Sequence, residues 1–393
     1  MGRLIGRQST RDMIVGLSLL CSAGALVLYP QEAISAMKSG LALCGNVIVP
    51  ALFPFLVLSS LVVELGMSRY LGRLLEPVMV PLFRVNGTCA TALALGFLGG
   101  YPVGARTAIR LYQSGQCSRT EAERLLAFCN NCGPAFILGV VGAGIFGSSR
   151  IGLLLYSAHM AASLLVGVLF RWYKPKEGPH RSPNRSSGFQ TVSIPAAFTS
   201  SITGALQSTL NISAFILFFS VALQMLSISG IMSRLARGFA FFLSPIGLDQ
   251  ADAQRLLTGL LEMSSGVSSL TNGTLTGRLP MAAFMLGWAG ISIHCQVMAF
   301  LGDSGLSLRT YLCGKLLHGL FSAALISLLA RLVPMEYPVS YYLAEQTQAI
   351  TYLEFQQALS ISAATAWAVW LLFFLLAAHV VKKSSRNRQG SIL

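Results

Sequence analysis

The sequence predicts an all-α polytopic membrane protein built from two inverted repeats with broken or re-entrant helices. Three observations carry that prediction: a charge-poor composition, apolar runs of membrane length, and a crossing count that fails at comparable places in the two halves. Of 393 residues, 54% are hydrophobic and 11% charged, with a mean hydropathy of +0.65. Soluble domains carry roughly 25% charged residues. A water-exposed surface so poor in charge would present large apolar patches.

Residues 13–29, 41–65, 151–170, 212–228, 308–333 and 361–380 are apolar over about the 20 residues that an α-helix needs to cross a hydrocarbon core. Three further stretches are interrupted: 88–105, 130–147, and the pair 256–275 and 280–301. That makes roughly nine or ten hydrophobic segments. Barrel strands would alternate in character instead of staying apolar. Nothing between the segments is long enough for a soluble catalytic domain. Arg3, Arg7 and Arg11 precede the first run, which ends at Tyr29-Pro30 without a small-x-small site, so it reads as a retained helix and not as a cleaved signal.

Charge sets the orientation. Basic residues gather at the N terminus, around the linker (Arg171, Lys174, Lys176, Arg181, Arg185) and in the tail (Lys382, Lys383, Arg386, Arg388). The positive-inside rule places all three in the cytoplasm. Orientation and attraction to lipid headgroups account for the formal charge of +14, so no nucleic-acid partner is expected. The chain divides into an N-terminal helix and loop (1–40), a first repeat (41–171), a basic linker (172–195), a second repeat (196–335) and a C-terminal helix and tail (336–393). With these ends inside, 41–65 runs inward and 212–228 outward, yet both halves hold a segment too many. One segment per half must enter and leave on the same side or be broken, which is tolerated only inside protein or beside a polar cavity. Two halves of similar pattern and opposite orientation point to a transporter whose site lies where broken helices meet.

The interruptions hold the candidate site. Gly99-Gly100-Tyr101-Pro102-Val103-Gly104 cannot be regular helix throughout, because Pro102 lacks a donor and clashes with the preceding turn. Gly100, Tyr101 and Pro102 are therefore expected at the solute. Arg106 follows directly and offers a planar fork for a carboxylate. Ser118-Arg119-Thr120-Glu121 has capping-box spacing and opens a short amphipathic helix. That helix runs into Asn130-Asn131-Cys132-Gly133-Pro134, whose amides need partners or a wet cavity. In the second half Glu262, Ser264, Ser265 and Asn272 place a carboxylate, hydroxyls and an amide in membrane-like sequence. An intramembrane Glu marks a functional site, here to bind a cation, take a proton or pair with an Arg of the other half. His294 and Gln296 are auxiliary candidates, and His159 and His318 read as packing residues.

Cys129 and Cys132 have C-x-x-C spacing, but the remaining cysteines are scattered and zinc wants three or four ligands. No metal and no cofactor is expected. No phosphate loop, H-E-x-x-H or G-x-S-x-G occurs, so the reading is not an enzyme.

The runs Gly99 to Ala105, Glu121-Ala122-Glu123-Arg124-Leu125-Leu126, Asn130 to Gly139 and Asn211-Ile212-Ser213 resemble the YlbJ-type sporulation integral membrane proteins. Those carry the nucleoside-recognition, or gate, domain shared remotely with concentrative nucleoside transporters. The resemblance covers about residues 41–330. It implies two inverted repeats with re-entrant hairpins, residence in the outer forespore membrane, and movement of dipicolinic acid during spore formation. On that reading Arg106 anchors one carboxylate of a planar dianion, Asn130 and Asn131 orient it, and Glu262 binds the coupling H⁺ or Na⁺. The expected partners are this small organic anion, the bilayer, and further copies of the chain or other sporulation membrane proteins. A gated channel and a structural component of a sporulation complex are the alternatives.

Overall fold

The computed structural model describes residues 2–65, 68–175, 193–271, 273–302 and 304–332. Every regular element among them is helical. The span expected at 361–380, the basic tail and most of the linker lie outside the described residues.

Helix α1 (Gly2–Leu28) turns through 95° into α2 (Pro30–Leu43). The bend falls at Tyr29-Pro30, where Pro30 opens α2 at a position that needs no amide. A wide π turn, Cys44–Ile48, joins α2 to α3 (Val49–Glu64). The apolar run expected at 41–65 is thus the distal part of a longer path. Helix α4 (Ser68–Phe83) buries Leu75, Met79 and Phe83 at one-turn spacing while Glu76 and Leu82 stay exposed. The chain then bends by 97° into α5 (Ala90–Gly99).

Gly100-Tyr101-Pro102 breaks the helix as expected, and α6 (Val103–Gln113) returns beside α5. The two arms close on glycines: a Cβ added to Gly96 would lie 3.2 Å from the Gly104 Cα. Small residues permit such backbone approach in membrane proteins. The capping box at Ser118 and Glu121 forms and starts α7 (Arg119–Leu126). Non-helical residues 127–133 lead to a π-helix, Ala135–Ile145, and to α8 (Ser149–Phe170).

The second half repeats this order. Long α9 (Ile194–Ile228) and oblique α10 (Ile231–Leu243) lead to a hairpin of α11 (Gln250–Leu261) and α12 (Met263–Ser268). That hairpin too is closed by glycines, Gly259 against Gly266. A broken pair, α13 (Leu275–Trp288) and α14 (Gly290–Leu301), and long α15 (Leu308–Leu332) complete it. With each hairpin returning to its own side, the α7/π-helix path and α8 are the crossings between α3 and α9. Helices α3 and α9, which pack together, therefore run in opposite senses and the repeats are inverted.

Three details differ from the sequence reading. Helix α9 spans 35 residues and begins well before 212. Pro280 lies inside α13, and the interruption of that segment falls at Ala289, whose φ is 84°. Among the described residues, four helices are long and apolar enough to cross a membrane, or up to six if each bent pair is one span. That is fewer than the apolar runs within those residues because hairpin arms and half-helices are short. The 10-residue α5 rises only about 15 Å, half a hydrocarbon core.

Candidate functional site

The first hairpin tip is built on a buried Gly100 with φ 73° and ψ −167°, a conformation side-chain-bearing residues avoid. Gly133 packs against it: a Cβ there would stand 3.3 Å from the Gly100 Cα. The hairpin tip and the break after α7 are thus in backbone contact. From this junction Tyr101 reaches across the repeats, its hydroxyl donating to the Leu286 carbonyl of α13 at 2.5 Å.

The tip of the second hairpin is Glu262. Its extended backbone separates α11 from α12, and its two carboxylate oxygens accept from the Ser264 amide at 3.0 Å and the Ser265 amide at 2.6 Å. A carboxylate at a helix N-terminus satisfies amides that otherwise have no partner.

Both tips line one cleft of about 570 Å³ of empty space, mouth included. Tyr101, Cys132, Gly133 and Phe136 come from the first repeat, and Glu262, Met263, Ser264, Ser292, Ile293 and Gln296 from the second. Ile48, Ile212 and Ile216 complete an apolar wall. A largely apolar cleft with few converging polar groups is the ordinary form of a small-solute site. The Ser292 hydroxyl, in a residue 1% exposed, has no hydrogen-bond partner among the described residues.

The structure brings together Tyr101, Glu262, Ser264 and Gln296 of the residues singled out in the sequence. Gly100 and Pro102 are buried in the tip without lining the cleft, and Ser265 contributes its amide to Glu262. Arg106 lies elsewhere. Its guanidinium donates to the Ser208 hydroxyl and, at 3.5 Å, to the Gly204 carbonyl of α9, and stands 5.8 Å from the centre of the Phe300 ring. Arg106 therefore clamps α6 to α9. Asn130 and Asn131 sit behind the cleft, fully buried, their side-chain nitrogens donating to the Tyr311 hydroxyl (3.4 Å) and the Phe128 carbonyl (3.0 Å). His294 meets the same Tyr311 hydroxyl at 3.0 Å and lies edge-on to Trp288. Asn272 lies outside the described residues, and Thr271 and Thr274 are exposed.

Sequence reasoning missed Lys315. This α15 residue is fully buried, and its ammonium donates to the Asn130 carbonyl (2.9 Å), the Tyr101 hydroxyl (3.1 Å) and His318 Nδ1 (3.2 Å). With Nδ1 accepting, His318 Nε2 carries the proton and donates to the His159 carbonyl at 2.9 Å. His159 Nε2 in turn accepts from the Cys132 amide at 3.0 Å. Three N–H donors meet three acceptors, and no carboxylate among the described residues pairs with the ammonium. The available signal was a lone charge in an apolar stretch, three residues before a histidine.

The charged run 121–124 makes a latch at the far end of α7. Glu121 accepts from the amides of Ser118 and Asn86. Glu123 accepts from Arg119 (3.1 Å), Lys174 (3.0 Å), the Tyr173 hydroxyl (2.9 Å) and the Ser307 amide (3.2 Å). Burial alone would push the Glu123 carboxyl up, but the hydrogen bonds from Lys174, Tyr173 and Arg119 together hold it below its usual range. Arg124 donates to the carbonyls of Arg84, Tyr173 and Lys174.

The gate family model, described as nucleoside recognition, matches residues 46–170 and 209–304. The sporulation integral membrane protein YlbJ of Bacillus subtilis (strain 168) is 33% identical over 339 residues, covering 81% of this chain and 82% of that protein. Among solved structures, CNTnw in an inward-facing substrate-bound state is similar with a TM-score of 0.47 at 15% identity, over 81% of this chain and 85% of that one. An intermediate state of a CNTnw variant gives 0.49 at 14% identity, over 82% and 86%. By the family match and the extent of its likeness to YlbJ, the chain belongs to the gate-domain family of nucleoside-recognition proteins, in its sporulation integral membrane branch.

Proposed function

We propose that this protein carries a small organic anion, dipicolinate, across the outer forespore membrane during sporulation. The observation that carries the transport reading is the meeting of Tyr101 and Glu262, the tips of two hairpins from opposite repeats, at one cleft. Inverted repeats with sites at broken helices are the architecture of alternating access. For the solute, three features give support. The cleft has apolar walls that suit one flat ring. Ser264, Ser292 and Gln296 offer donors along it. Lys315, just behind Tyr101, adds positive charge that no contacting carboxylate offsets, whereas the Glu262 oxygens are already engaged by amides. YlbJ is a sporulation integral membrane protein, and the family description names another ring-bearing solute class. Glu262 is the residue at which a driving ion acts.

The test is uptake of labelled dipicolinate into liposomes holding purified protein. Saturable uptake, inhibited by related aromatic dicarboxylates and lost in Ser292→Leu at normal insertion, is the expected result. Uptake no faster than in protein-free liposomes under any imposed gradient would rule the solute out.

A further inference from the structure

Lys315 has a position that ordinary packing does not explain. A lysine inside a membrane-spanning helix is costly and is kept where it has work to do. Its ammonium stands at the junction of both interruptions of the first repeat: the Tyr101 hydroxyl belongs to the hairpin tip, and the Asn130 carbonyl to the break after α7. Asn130 lies four residues past the end of α7, in non-helical chain whose buried carbonyls need a partner from outside the segment. Freed carbonyls at such breaks are the groups that hold cations in membrane transporters. The same device recurs in this fold. Arg278 Nε donates to the Leu270 carbonyl at 2.5 Å, just past α12, and Arg124 to the Arg84 carbonyl at 2.6 Å, just past α4.

We infer, on the transport reading above, that the Lys315 ammonium is a tethered cation filling the place a bound metal cation would take between the first hairpin and the break after α7, so that this protein does not draw on Na⁺. The three acceptors around Nζ use all its protons, and the side chain is fully buried. Being covalently held, the charge gives up no translational freedom on arriving and does not dissociate during the cycle. Tyr101, His318, His159, His294, Tyr311, Cys129 and Cys132 are the other titratable groups buried around it, and none of them is a carboxylate.

The experiment reads stability of the purified full-length protein, so it stands whether or not dipicolinate is the solute. Melting temperature is followed in NaCl, choline chloride and n-propylammonium chloride at equal ionic strength, for the wild type and Lys315→Ala. The wild type is expected to melt at the same temperature in all three salts. Lys315→Ala is expected to melt about 5 °C or more lower and to regain part of that loss in n-propylammonium, the piece the substitution removes, or in Na⁺, but not in choline. A Na⁺-specific rise in the wild type overturns the inference, and so does a Lys315→Ala protein that answers to neither small cation. If Lys315→Ala does not survive purification, Lys315→Arg and Lys315→Met replace it. A tethered cation requires the arginine variant to melt higher, and a methionine variant equal or better would reject it.

Discussion

The hydroxyl of Tyr101 donates to the carbonyl of Leu286 at 2.5 Å and accepts from Lys315 at 3.1 Å, so one phenol joins the first hairpin to two helices of the second repeat. Tyr101→Phe keeps the ring that lines the cleft and removes both bonds. It leaves a buried carbonyl and an ammonium proton without partners, at about 1–3 kcal/mol. A drop in melting temperature of a few degrees, with slower uptake per inserted molecule, is expected. Unchanged stability would show that the phenol bridges nothing.

Glu262→Gln retains one acceptor oxygen and replaces the other by an amide that cannot accept from Ser265. Loss of half the α12 cap costs about 1 kcal/mol, so abundance should stay near normal. The response of uptake to an imposed ion gradient should flatten, because the carboxylate assigned to the driving ion is gone. A gradient response superimposable on wild type would remove Glu262 from coupling.

Arg106 holds α6 to Gly204 and Ser208 without lining the cleft. Arg106→Ala should therefore lower the maximal rate and leave half-saturation close to wild type. Arg106→Lys keeps the charge without the planar fork and should fall between the two. A variant whose half-saturation rises tenfold at unchanged rate would place the guanidinium on the solute instead.

The Glu123 carboxyl is held below its usual range, so its contribution to stability is complete above the unfolded value of about 4.3 and fades as pH falls through the lower folded value. Lys174, partly exposed, is shifted up by the same contact, and its share fades only as pH rises through its folded value, above about 10.4. The melting difference between wild type and Glu123→Gln should be flat near neutrality and shrink on acidification below about pH 4. A difference that grows on acidification would contradict the latch.

The helix breaks were legible because proline and glycine act locally: Pro102 and Gly100 interrupt the chain whatever surrounds them. The capping box at Ser118 and Glu121 was legible for the same reason. Pro280 sits inside α13 without ending it, while the actual interruption falls at Ala289, just before Gly290. Polarity identified which residues need partners but not which partners they find. Asn130 and Asn131 are turned into the interior and Arg106 toward α9, and only the packing of distant helices decides that. Lys315 escaped because α15 is otherwise regular and apolar, so nothing local distinguished its lysine from one at an interface.

The grip of Glu123 limits how the molecule can move. A single carboxylate that holds α7 through Arg119, the exit of α8 through Tyr173 and Lys174, and the approach to α15 through the Ser307 amide ties three distant stretches of chain at one point. Those three ends must travel as one body, so the cleft cannot be opened by prising them apart. The freedom is left to the apolar wall opposite, where Ile48, Ile212 and Ile216 line the cleft through dispersion contacts and the Arg106 bonds to α9 are the polar hold to be released. The anchored face is the frame and the isoleucine face the door.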